Sequence, residues 1–72
     1  MEDFRAIIVK WPDLDALAAD TGAGKEAVKK WKRRNTIPSE YWKGLIQGAE
    51  RRGIEGVTAD LMADIAMRLK AA

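Results

Sequence analysis

Residues 14–33 read LDALAADTGAGKEAVKKWKR, and the spacing within this stretch decides the fold. Leu14, Leu17, Ala18 and Thr21 fall on one face at about 100° per residue, the signature of an amphipathic helix. Ala18 stands where a second helix would approach most closely, and a side chain no larger than a methyl suits that place. Gly22 follows where the chain must reverse, because glycine tolerates the positive φ that ends a helix. A second helix then runs from Lys25 to Arg33. Its apolar residues Ala27, Val28 and Trp31 cluster on one side, while Lys25, Glu26, Lys29, Lys30 and Arg33 occupy the other. One face reads as core and the other as a charged, mostly basic surface. Two short helices joined by a tight glycine turn are the pattern of a helix-turn-helix, whose second helix enters the major groove of DNA. The plainer reading of KKWKRR is a solvated charge run with a buried tryptophan. The glycine, the small alanine and the two apolar faces agree in register, which favours the DNA-reading motif.

The charge distribution points the same way. The chain has 72 residues and a net charge of +2. Residues 1–24 hold two basic and five acidic side chains, residues 25–52 nine and three, and residues 53–72 two and three. The middle segment is therefore at +6 between flanks at −3 and −1, and a localised basic patch is the footprint of a phosphate-binding surface.

Around the 14–33 core the chain reads as all-α, one domain over 1–72 with about five helices. Supporting helices are expected over 3–10, 38–52 and 59–70. Phe4, Ile7, Ile8 and Trp11 form the inward side of the first, and Pro12 stops it. Asp13 caps the next helix, with Asp15 favourable in its first turn. Pro38 suits the first position of the fourth helix, whose stripe is Tyr41, Trp42, Leu45, Ile46 and Ala49 and whose end is Gly53. Gly44 and Gly48, four apart, leave room for a close neighbour. Thr58 caps the last helix, with Leu61, Met62, Ile65, Ala66 and Leu69 inward and Met62 and Met67 as gap-fillers. So short a chain with no cysteine has neither disulfides nor a cysteine zinc site to staple it, so its three tryptophans are expected to supply core. No run approaches the length of a membrane span, and the N-terminal MEDFRAIIVKW is acidic with a short apolar part, so a soluble, cytoplasmic protein is expected.

The order of elements adds a resemblance. A helix-turn-helix followed by WKRRNTIP and then a helix opening SEYWKGLI resembles the small Cro-like repressors and antitoxin-type regulators of phages and prophages. More narrowly, it is similar to the WK-R-x-x-IP pattern of carph-isopro helix-turn-helix domains. The similarity spans residues 14–53 and is most specific at Trp31, Lys32, Arg33, Arg34, Ile37 and Pro38. It implies a Cro/repressor-like fold in which Trp31 packs inward, Ile37-Pro38 anchors the following helix, and Lys32, Arg33 and Arg34 lie beside DNA phosphates. The structural core of the motif is then Leu17, Ala18, Gly22, Val28, Trp31, Ile37 and Pro38. The chain departs from the pattern at Ala23-Gly24, where a branched apolar residue and a capping residue are usual, and at Thr21, usually a larger hydrophobe.

These readings give an expected function, a sequence-specific regulator of transcription on double-stranded DNA. In the first turns of the second helix Lys25, Glu26 and Lys29 are the candidates for base edges: lysine donates to guanine O6 and N7, and Glu26 accepts from cytosine N4. Glu26 has a second reading, stabilising the helix dipole. Lys30, Arg33 and Arg34 are placed for phosphates. One such module buries too little DNA surface for tight specific binding alone, so a homodimer is expected, with 59–70 as a candidate contact that also closes the core. No cofactor is expected. Without histidine, cysteine or a phosphate-cradling glycine loop, and with its acids scattered, the chain does not read as an enzyme. The rival is an adaptor that offers the same basic face to an acidic protein of a transcription complex. RNA binding is disfavoured, since Tyr41 alone offers no stacking platform.

Overall fold

A computed structural model describes residues 3–71; residues 1, 2 and 72 of the expected 1–72 domain lie outside the described part. The described chain is all-helical, with α1 (Phe4–Ile8), α2 (Leu14–Thr21), α3 (Lys25–Arg34), α4 (Trp42–Arg52) and α5 (Ala59–Ala71), and a 3₁₀ turn at Ser39–Tyr41 before α4. Its radius of gyration, 11.1 Å, agrees with about 11 Å for one folded domain of this length.

Capping explains most of the boundaries. The Asp3 carboxylate accepts from the Ala6 amide at 2.9 Å, and Asp13 accepts from Ala16 at 2.7 Å. Gly22 closes α2 in the left-handed region at φ 78°, donating its amide to the Ala18 carbonyl at 2.9 Å. Gly53 closes α4 at φ 70°, and the Thr58 hydroxyl accepts from the Leu61 amide at 3.1 Å to start α5. Each cap satisfies a backbone group that the helix end would leave without a partner.

Several boundaries differ from the sequence expectation: α1 starts at Phe4 rather than Asp3, α5 ends at Ala71 rather than Lys70, and three further shifts have a visible cause. α1 stops at Ile8 rather than Lys10, because the chain tightens ahead of Pro12: the Lys10 and Trp11 amides donate three residues back, to Ile7 at 3.1 Å and Ile8 at 3.3 Å. α3 runs one residue further, to Arg34, and Asn35 takes the left-handed closing position at φ 55°, which asparagine tolerates better than most residues. Pro38 does not open α4. Its ψ of 139° is extended, it flanks the 3₁₀ turn, and α4 begins at Trp42. Two aromatic contacts hold this entry. The Trp42 indole N–H donates to the Ile37 carbonyl at 2.8 Å, and the Tyr41 ring lies 4.9 Å from that of Trp31.

The core draws on every helix. Phe4, Ile7, Ile8 and Trp11 from the N-terminal segment, Leu17, Val28, Trp31 and Ile37 from the middle, and Leu45, Ala49, Val57, Met62 and Ile65 from the rest are all buried, and no polar side chain is buried among the described residues. Ala18, Tyr41, Trp42, Ile46, Leu61 and Ala66 pack against its edge. Burying a side chain such as Leu17, with no exposed surface, is worth roughly 1.5–3 kcal/mol. Two expected core residues of α5 fall outside. Met67 is 71% exposed and Leu69 43%: Met67 lies on the opposite side of the helix from Ile65, and Leu69 is in a last turn that overhangs the core. Glycines let α2 and α4 approach closely: a Cβ on Gly44 would stand 3.3 Å from the Asp20 carbonyl oxygen and the Thr21 Cα of the α2 backbone.

Candidate nucleic-acid interface

α3 is positioned from both ends. At its start, Gly24 gives no side-chain cap, and only its carbonyl engages the helix, accepting from Ala27 and Val28 at 3.0 and 3.2 Å. The Thr21 hydroxyl donates to the Leu17 carbonyl at 2.9 Å and accepts from the Ala23 amide at 3.4 Å, tying the turn to α2. At its far end, Arg5 of α1 donates Nε to the Lys32 carbonyl and an Nη to the Arg33 carbonyl, both at 2.8 Å. In return the Asn35 side-chain oxygen accepts from the Arg5 backbone amide at 3.0 Å. The C-terminus of α3 and the N-terminus of α1 therefore cap each other, and the Arg5 cation sits at the negative end of the α3 dipole.

With Val28 and Trp31 buried and Ala27 half-buried, the charged residues of α3 are exposed and fall into three rows. Glu26, Lys29 and Arg33, spaced by three and four, form the outermost stripe. Lys30 and Arg34 form one flank, and Lys25 and Lys32 the other. The candidates for base contact are paired within the protein. Lys25 Nζ lies 3.1 Å from the Asp15 carboxylate of α2, and Lys29 Nζ 3.5 Å from Glu26, whose side chain is 90% exposed. The candidates for phosphate contact are not. Among the described residues Lys30, Lys32, Arg33 and Arg34 have no side-chain ion pair or hydrogen bond, and neither has Lys43 on α4. Lys32 also borders a shallow groove of about 230 Å³ that it shares with Val9, Pro12, Asp13 and Leu14.

Other cations are committed to holding the fold. Arg51 and Arg52 both face Asp20, Arg52 Nε at 2.6 Å and an Arg51 Nη at 3.8 Å. The same carboxylate accepts from the Trp11 indole N–H at 2.8 Å. The Arg52 hydrogen bond, outweighing partial burial and helped by Trp11 and the nearby arginine charges, holds the Asp20 pKa below the ordinary carboxylate value, and Asp20 in turn raises that of Arg52. So one carboxylate engages two of the nine basic residues in the positive middle segment and offsets one of their charges, while the cations of that segment left without a partner among the described residues lie on α3 and at Lys43.

The sequence does not mark Arg5, Asn35 or Asp20 plainly as positioning residues. For Asp20 a signal exists: it stands in the last turn of α2, where a carboxylate faces the negative end of the helix and needs a partner. Arg5 carries no such mark, because its role depends on α1 crossing the end of a helix 27 residues away. No known family model, curated protein or solved structure matches the chain.

Proposed function

We propose that this protein is a regulator of transcription that binds double-stranded DNA through α3, as phage- and prophage-type repressors with a helix-turn-helix do. The observation that carries the reading is the contrast among its cations. Those elsewhere are largely engaged by carboxylates or backbone carbonyls, whereas Lys30 and Arg34 on one flank of α3, Lys32 on the other and Arg33 on the outer stripe have no internal partner among the described residues. A helix in the major groove has a phosphate strand on each side, which suits free cations on both flanks. Glu26, Lys29 and Lys25 at the entering end are then the residues facing base edges, and their internal ion pairs are exchanged for contacts with DNA.

The test is an anisotropy titration of a mixed-sequence duplex over a range of salt, comparing the wild type with a Lys30/Arg33/Arg34 triple-alanine variant. Those side chains are exposed, so the variant keeps its fold. The expected outcome is steeply salt-dependent binding, with the slope of log K against log salt reduced by about 3 in the variant, or about 0.9 per lost phosphate contact. Binding that is absent at low salt, or equal in the two proteins, rejects the reading.

A specific observation favours the adaptor as the second reading. Asp13 and Asp15 stand beside Lys32 and Lys25, and acidic residues on that flank repel phosphate while suiting a mixed-charge protein surface. Loss of DNA binding in the titration transfers the basic face to that reading.

A further inference from the structure

We propose that the outer face of α5 is the contact of a weak homodimer, in which two copies of the chain pair through this helix in antiparallel orientation. The proposal goes beyond the DNA reading and stands whether or not α3 meets DNA. Asp60, Ala63, Met67 and Lys70 are separated by three, four and three residues, so they form one seam of the heptad kind. All four are exposed, on the side of α5 opposite the buried Ile65. Met67, 71% exposed, is the most exposed large hydrophobic residue among those described. It contributes nothing to the core, and burying it requires a surface outside the chain.

The seam is complementary to itself in only one direction. When two helices pair antiparallel, each first-type seam position meets the second-type position of its neighbour. Met67 then meets the partner's Ala63, a large side chain over a small one, and the contact occurs twice by symmetry. Asp60 meets the partner's Lys70, also twice. The ten residue steps from Asp60 to Lys70 span about 15 Å of helix, so the two opposite charges bracket the apolar pair at both ends. In a parallel pair Asp60 would meet the partner's Asp60 and Lys70 the partner's Lys70, with a gap between the two small Ala63 side chains. The charges are also available. Among the described residues neither Asp60 nor Lys70 has an ion pair, whereas Asp64 faces Arg68 within the helix at 3.8 Å. A contact made by one 13-residue helix from each copy is smaller than the roughly 1,200–2,000 Å² of a standard stable interface, so the association is a weak one.

Sedimentation equilibrium of the full chain from micromolar to millimolar concentration tests this without any DNA. The wild type is expected to shift reversibly from monomer to dimer, and Met67→Lys, a surface change that leaves the far-UV spectrum intact, to remain monomeric. Asp60→Lys and Lys70→Asp should each weaken the dimer by roughly tenfold, since each sets like charges against one another at two places. The double variant Asp60→Lys/Lys70→Asp restores opposite charges only in the antiparallel arrangement, and its dissociation constant should return to within about threefold of the wild type. A wild type that stays monomeric throughout, or a dimer insensitive to Met67→Lys, overturns the proposal. A dimer that Met67→Lys abolishes but the double exchange does not rescue overturns the antiparallel pairing.

Discussion

Asp20 shows how much a single polar side chain can fix in a domain this small. Its carboxylate joins Trp11 from the α1–α2 link to Arg52 at the end of α4, through hydrogen bonds of 2.8 and 2.6 Å. Gly48 makes room for it, since a Cβ there would fall 2.7 Å from the Asp20 Cβ and Oδ2. Because the folded pKa of Asp20 is lowered, its stabilising contribution is present above the unfolded carboxylate value near 3.9. It is lost as pH falls through the lower folded value. Asp20→Asn is therefore expected to destabilise the protein by about 1–2 kcal/mol at neutral pH. The difference between variant and wild type should shrink below about pH 4, as measured by urea unfolding at a series of pH values. A difference that stays constant down to pH 2 would rule out the ion-pair account. The sequence shows Gly44 and Gly48 as room for a close neighbour, but it does not show that the neighbour is a charged side chain, because that depends on which end of α2 crosses α4.

At the scale of elements, α3 has a weak start and a strong finish. Gly24 supplies no side-chain cap, so the helix relies on Arg5 and Asn35 at its other end to hold its direction relative to α1. Removing the clamp with Arg5→Ala should cost about 1–2 kcal/mol. It should raise amide hydrogen exchange in the last turn of α3 more than in α5. Equal protection in that turn before and after the change would show that Arg5 does not hold it. Both faces of α2 and α3, their caps at Asp13 and Gly22, and the buried positions Leu17, Val28 and Trp31 are legible from spacing alone, because an amphipathic period repeats locally. The 3₁₀ entry to α4 is not. Proline is equally at home at the first position of a helix and in the extended residue before it, and here the choice goes with the docking of Tyr41 on Trp31 and the bond from Trp42 to Ile37. Leu69 escapes for the related reason that a helix period does not say where the core ends, whereas Met67 stands two residues from the buried Ile65, so the period itself puts it on the outer face.

For the whole molecule, the balance is that of a small domain with no disulfide, held by one continuous core that draws on all five helices. Its three tryptophans report on different parts of the fold, Trp11 after α1 and Trp31 in α3 within the core and Trp42 at the start of α4 against its edge. Tryptophan fluorescence and far-UV circular dichroism should therefore give coincident urea midpoints in a single transition. Separate midpoints would mean that α5, or the α1–α3 clamp, unfolds on its own. The helical character of the chain is legible in its sequence, as are several helix ends, the inward side of most helices, and the gathering of positive charge between residues 25 and 52. These properties rest on local periodicity, capping and composition, which need no knowledge of what lies across the fold. Tertiary structure decided which of those charges are engaged. Arg51 and Arg52 turn to Asp20, Arg5 to the end of α3, and Lys25 to Asp15, leaving Lys30, Lys32, Arg33 and Arg34 without partners among the described residues. An ion pair depends on distances between residues far apart in the chain, and only the packing of the helices sets those distances.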